Sequence, residues 1–92
     1  MVETMLRRGQ VVLSLAGRDK DRLMAVLGEA PDGGVLVADG KERPLQRPKR
    51  KNPRHLRPIG VPVGEHSMAT NRELRRALLA LRQAAPSSQE GG

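Results

Sequence analysis

The chain has 92 residues, 17 Lys and Arg against 10 Asp and Glu, a formal net charge of +7, and no Phe, Tyr, Trp or Cys. That length accommodates one small domain with tails, and the absence of cysteine excludes disulfides and thiolate metal sites and fits a reducing compartment. A core limited to Val, Leu, Ile, Met and Ala buries less area per residue, so the isolated domain is expected to be marginally stable and to gain stability by binding a polyanion.

Residues 1–8 (MVETMLRR) carry no strong pattern and read as a lead-in. Arg7-Arg8 precede the apolar run VVLSLAG, but Ser14 interrupts that run and Arg18, Asp19 and Lys20 end it. It falls short of a secretory h-region of ~7–15 residues and of the ~20 that span a bilayer, so the expectation is a cytoplasmic protein with no membrane partner. Gln10 to Ala16 reads as a strand, with Val11, Leu13 and Leu15 on one face and Val12, Ser14 and Ala16 on the other. Gly17 to Asp21 is a charged, glycine-led turn, and Arg22 to Glu29 is a second strand.

Pro31 to Gly34 forms a turn, and Val35 to Ala38 is a short apolar strand. Asp39-Gly40 is the dipeptide preferred in a type I′ hairpin, which would return the chain along Lys41 to Arg47, as an edge because Pro44 has no amide to donate. Three or four closely spaced short strands suit a meander closing into a small barrel. His55-Leu56 and Ile59-Gly60-Val61 supply apolar anchors for a last strand, and residues 62–69 read as a connector. Thr70-Asn71-Arg72-Glu73 matches a capping box and opens a helix over 70–85. Leu74, Ala77, Leu78, Leu81 and Ala85 form its apolar stripe, while Arg72, Arg75, Arg76 and Arg82 lie largely elsewhere. Pro86 ends the helix, and 86–92 is a flexible tail.

The excess charge is concentrated. Arg43 to Arg57 (RPLQRPKRKNPRHLR) contains seven bases and no acid, and the rest of the chain balances ten bases with ten acids. Prolines at 44, 48, 53 and 58 disfavour helix, so the segment is expected to be an extended, stiff arm. A contiguous positive segment attracts phosphates, gaining affinity by counterion release. A solvated basic tail is the bland alternative, but this run is internal and returns to apolar residues. With no aromatic stacking platform, the expected target is the backbone and shape of structured RNA. The RNA-binding residues expected are Arg43, Arg47, Lys49, Arg50, Lys51, Asn52, Arg54, His55 and Arg57, extended by Arg18, Lys20 and Arg22 if the first turn lies alongside.

Catalytic chemistry is not legible. His55 and His66 have no metal-ligand spacing, Asp19 and Asp21 are interleaved with Lys20 and Arg22, and there is neither a phosphate loop nor a nucleophile elbow. The expectation is no enzyme, no cofactor and no metal.

Residues 9–29, GQVVLSLAGRDKDRLMAVLGE, resemble a KOW motif of strand, glycine-led charged turn and strand. With VLVADGKERPLQRPKRKNPRHLRP over 35–58, the chain resembles bacterial KOW-domain RNA-binding proteins related to KOW-containing large-subunit ribosomal proteins of archaea and eukaryotes. The resemblance implies a mostly β fold, a small SH3-like β-barrel over 9–61 with a C-terminal α-helix. It also implies binding to ribosomal RNA or the ribosome, with Gly17, Arg18, Asp19 and Lys20 in the contacting loop. Asp21 stands where such turns often have Gly, and the second strand lacks the aromatic residues frequent there. Two rival readings stand beside this one. The first is a protein-interaction adaptor whose partner takes the leucine-striped helix. The second is a transcription-associated KOW module that binds RNA polymerase or DNA.

Overall fold

The computed structural model describes residues 6–84. Its elements in chain order are β1 (Val11–Ser14), β2 (Leu23–Glu29), β3 (Val35–Ala38), β4 (Lys49–Lys51), β5 (Leu56–Pro58) and helix α1 (Asn71–Ala84). Short 3-10 turns cover Pro53–His55 and Glu65–Met68. The strands form one antiparallel five-stranded sheet in the order β4-β3-β2-β1-β5. The fold is therefore mostly β with one C-terminal helix.

Alternation along the strands divides the core in two, because successive side chains point to opposite faces. Val11, Ala25 and Ala38 face Met68, Leu74 and Leu78, so one face is covered by α1 and the turn before it. Val12, Met24, Val26, Val35, Val37 and Leu56 form the second cluster, with Leu6 packed against it. Most of that cluster is fully buried although it contains no helical residue. The sheet coils over it: Lys51 on β4 donates to the Ala16 carbonyl beyond β1 at 3.1 Å. A shift of register in the β2–β3 ladder between Val26 and Gly28 marks a bulge, a feature that increases local bending and twist.

Helix α1 starts as its sequence dictates. Thr70 Oγ1 accepts the amide of Glu73 at 3.1 Å, satisfying one of the amides left open at a helix start. Leu74 and Leu78 are buried against the sheet. Burial of side chains of this size contributes about 1.5–3 kcal/mol each. Leu74 and Leu78 of the leucine stripe thus pack against the protein's own sheet, with Leu81 partly buried beside them. Arg72, Arg75, Arg76 and Arg82 are exposed.

Several expectations need correction. β1 stops at Ser14, and Leu15 is 42% exposed. Residues 41–47 form no strand, and Asp39-Gly40 is not a type I′ turn, since only Gly40 of the pair has positive φ. Asp39 instead organises a wider loop. Its Oδ1 accepts the amides of Lys41 and Arg43, each at 2.8 Å, while its own amide donates to the Arg43 carbonyl at 2.9 Å. Intraloop satisfaction of backbone groups removes the need for a strand partner, and β4 begins only at Lys49.

The segment Arg43–Arg57 is consequently not an extended arm. It comprises a loop, two three-residue edge strands and the 3-10 turn between them, all within the fold. Leu56 and Ile59 do anchor its end, but Val61 is 74% exposed and anchors nothing. Within the expected connector, Met68 is buried in the helix-side cluster. In the expected lead-in, Arg8 pairs with Glu65 at 2.8 Å and donates to the Leu27 carbonyl at 3.0 Å. Ala85 and the tail 86–92 lie outside the described residues.

A candidate polyanion-binding rim around a buried aspartate

The turn between β1 and β2 is the centre of the basic surface. Gly17 (φ 80°) and Asp21 (φ 70°) take left-handed backbone conformations at its two ends. Asp21 thus adopts a left-handed geometry that favours Gly, and Asp is among the side chains that tolerate it. Asp19 turns inward and is 4% exposed. Arg43 Nη2 donates to its Oδ2 at 3.2 Å, Lys51 Nζ lies 3.6 Å from the same oxygen, and Arg22 Nε lies 3.8 Å from Oδ1. Burial opposes the Asp19 charge. The Arg43 hydrogen bond and the fields of Arg43, Lys51 and Arg22 outweigh it and hold this carboxyl below the usual aspartate range.

This node joins the two halves of the expected site. Arg43 and Lys51 reach Asp19, and the Leu15 amide donates to the His55 carbonyl at 2.8 Å. The first turn therefore lies beside the basic segment, an adjacency that sequence leaves open. Asn52 caps the 3-10 turn, its Oδ1 accepting the Arg54 amide at 3.0 Å.

Apart from Asn52, the other eleven of the twelve expected residues fall into two groups. Four are engaged by acids of the protein itself. Lys51 is 8% exposed and locked to Asp19 and Ala16, while Arg43 is held by Asp19. Arg22 bridges Asp19 and Asp39, and Arg50 Nε donates to both oxygens of Asp32 at 3.0 and 2.8 Å. The Arg50 guanidinium lies over Gly34, where an added Cβ would meet it at 2.7 Å. The hydrogen bond from Arg50 and that from the Gly34 amide hold the Asp32 carboxyl below its usual range. By contrast, Arg18, Lys20, Arg47, Lys49, Arg54 and Arg57 are exposed, and none has an ion-pair partner among the described residues. His55 is exposed beside them. These outward groups are free to neutralise phosphates; the paired four chiefly position them.

Sequence reasoning missed Asp19 and Asp39 as organisers. Asp39 carries a usable local signal, an Asp at a strand end followed by Gly, which suits a side chain accepting nearby amides. Asp19 carries none, since its partners are remote in sequence.

Between the first turn and the 39–43 loop lies a polar cleft of about 270 Å³ lined by Arg18, Asp19, Arg22, Glu42 and Arg43. Arg43 Nε is buried without a hydrogen-bond partner among the described residues. Among those residues, no three His, Cys, Asp or Glu side chains are grouped to hold a metal, and no helix is long and apolar enough to cross a membrane. No protein-family model and no curated protein matches this chain.

Proposed function

We propose that the chain is a non-catalytic, cytoplasmic RNA-binding module of the SH3-like barrel type that contacts the phosphate backbone of structured RNA through the rim around Asp19. The observation carrying this reading is the adjacency of the first turn and the basic segment. Arg18 and Lys20 thereby share a neighbourhood with Arg54 and Arg57, while Asp19, the buried acid of that turn, is neutralised internally and Asp21 stays exposed at the turn's end. A net positive field whose buried counter-charge is matched internally attracts phosphates without sequence preference. The coiled five-stranded sheet, with a 3-10 turn joining its two edge strands, supports the barrel reading. A ribosomal setting rests on the resemblance of residues 9–58 to KOW proteins.

The test is affinity for a structured RNA across a salt series. Substituting Lys49→Gln, Arg54→Gln and Arg57→Gln together removes charge from exposed, unpaired positions and leaves the Asp19 node intact. Each lost phosphate contact lowers the slope of log affinity against log salt by roughly 0.7–0.9, so the slope should fall by about two. A parent-like slope in this folded variant overturns the assignment. Duplex DNA of equal charge at the same salt distinguishes the transcription-associated reading, which predicts DNA binding at least as tight as RNA binding.

A further inference from the structure

Helix α1 has a basic side that the rim does not use. At 3.6 residues per turn, Arg75 and Arg82 flank the buried Leu74–Leu78 stripe on one edge, with Arg72 and Arg76 further round. Glu73, the one acid of the described helix, lies on the opposite edge. The basic edge faces the 39–43 loop. Gly40 makes the approach possible: it has φ 81°, and an added Cβ would overlap the Asn71 carbonyl and meet the Arg75 amide at 3.1 Å. Asn71 secures the loop from its other side, accepting the Leu45 amide at 2.7 Å and donating to Gln46 Oε1 at 2.9 Å.

Two clefts result. One, of about 250 Å³, is lined by Arg22, Lys41, Arg75 and Arg82, with Asp39 as its acid and Leu23, Leu78 and Leu79 as its apolar wall. Asp39 offers little free negative charge, because Oδ1 takes two loop amides and Oδ2 lies 3.4 Å from Arg22 Nη1. Arg82 donates to the Asp21 carbonyl at 2.7 Å, a neutral partner that leaves its charge uncompensated. The adjoining cleft, of about 370 Å³, is lined by Gly40, Asn71, Arg72, Arg75, Arg76 and Leu79. Arg75 borders both clefts, and Arg22 borders the first of them as well as the polar cleft at the rim.

We infer that the α1 face bearing Arg72, Arg75, Arg76 and Arg82, together with Lys41, is a second phosphate-binding strip, continuous with the rim through Arg22. The ligand class is the sugar-phosphate backbone of the RNA already held at the rim, so the inference rests on the RNA-binding reading. The arginine fork suits phosphate oxygens. Arg72 and Arg82 lie about 15 Å apart along the helix axis, far enough to meet more than one phosphate. The strip makes the helix part of the binding surface rather than a prop for the sheet alone.

The test compares three full-length proteins in the same structured-RNA salt series: the parent, the rim variant (Lys49→Gln, Arg54→Gln, Arg57→Gln) and a helix variant (Arg72→Gln, Arg75→Gln, Arg76→Gln). Gln has nearly the helix propensity of Arg, and all three helix positions are exposed. Circular dichroism should therefore report an unchanged fold. The helix variant is expected to lose roughly ten- to a hundred-fold in affinity at 0.1 M salt, with a slope lower by about two. A parent-like affinity and slope in the helix variant, with a reduced slope in the rim variant, overturns the strip and keeps the rim. It would leave those arginines to solvation or to an acidic protein. A reduced slope in the helix variant alone supports the strip and overturns the rim. No salt-dependent RNA binding by the parent overturns both.

Discussion

The buried node at Asp19 and the open rim around it are built from the same basic segment, yet they do opposite things with charge. In the node, buried Lys51 and half-buried Arg43 are matched to one carboxylate. On the rim, Lys49, Arg54 and Arg57 are exposed and have no ion-pair partner among the described residues. A count of positive residues treats these groups alike, whereas the structure separates those that hold the surface in shape from those that present it. The pairing also neutralises an aspartate that would otherwise repel a phosphate at the centre of the rim.

The sharpest way to break this contrast is Asp19→Asn. Removing one partner of a buried ion pair typically costs about 3–5 kcal/mol, since the remaining charges lose their compensation. The expected outcome is a large drop in the denaturant midpoint, whereas the rim variant should stay within about 0.5 kcal/mol of the parent. Equal stability losses in the two variants would erase the distinction. Acid should act through the same residue. Because the folded pKa of Asp19 is depressed, its stabilisation is complete above the unfolded-chain value of about 3.9 and disappears as pH falls through the folded value below it. Thermal melts between pH 7 and pH 2 should show this loss in the parent and a weaker one in Asp19→Asn. Asp32 and Glu65, also depressed by their arginine partners, contribute in the same direction in both proteins.

Asp21→Gly tests the turn itself. Relief of a positive φ at a non-glycine residue should stabilise the fold by up to about 1 kcal/mol and leave the salt slope of RNA binding unchanged. A destabilised protein would mean that the Asp21 side chain contributes more than its backbone costs. The smallest effect is expected from Arg50→Gln. Its pair with Asp32 is exposed on both sides, so the melting midpoint should move by no more than ~2 °C.

Much of the scaffold was legible because it depends on short-range rules. Short aliphatic runs bounded by turn signals located β1, β2 and β3, and Thr70 with the leucine stripe located α1 to within a residue at its start. The 39–47 loop was misread because Asp39-Gly40 suits two outcomes: a tight hairpin, or an aspartate accepting the amides two and four residues ahead. Only the surrounding packing chooses between them, here the seat of Gly40 on the first turn of α1. The basic segment was misread as an arm for a related reason. Its prolines discourage helix, but two three-residue edge strands are compatible with them, and pairing with β3 and β1 draws the segment into the sheet.

By itself the sequence determined the material of this protein: an aliphatic core without aromatic rings, a capped basic helix, and an excess of positive charge confined to residues 43–57. It could not determine which of those charges face water. Arg43 finds Asp19 from 24 residues away, and Lys51 reaches the Ala16 carbonyl across 35. Such pairs depend on how the strands are arranged in space and on which groups their packing desolvates. Local propensity is felt over a few residues, whereas burial and ion pairing are properties of the assembled fold. Tertiary structure alone therefore decided which bases became framework and which became surface.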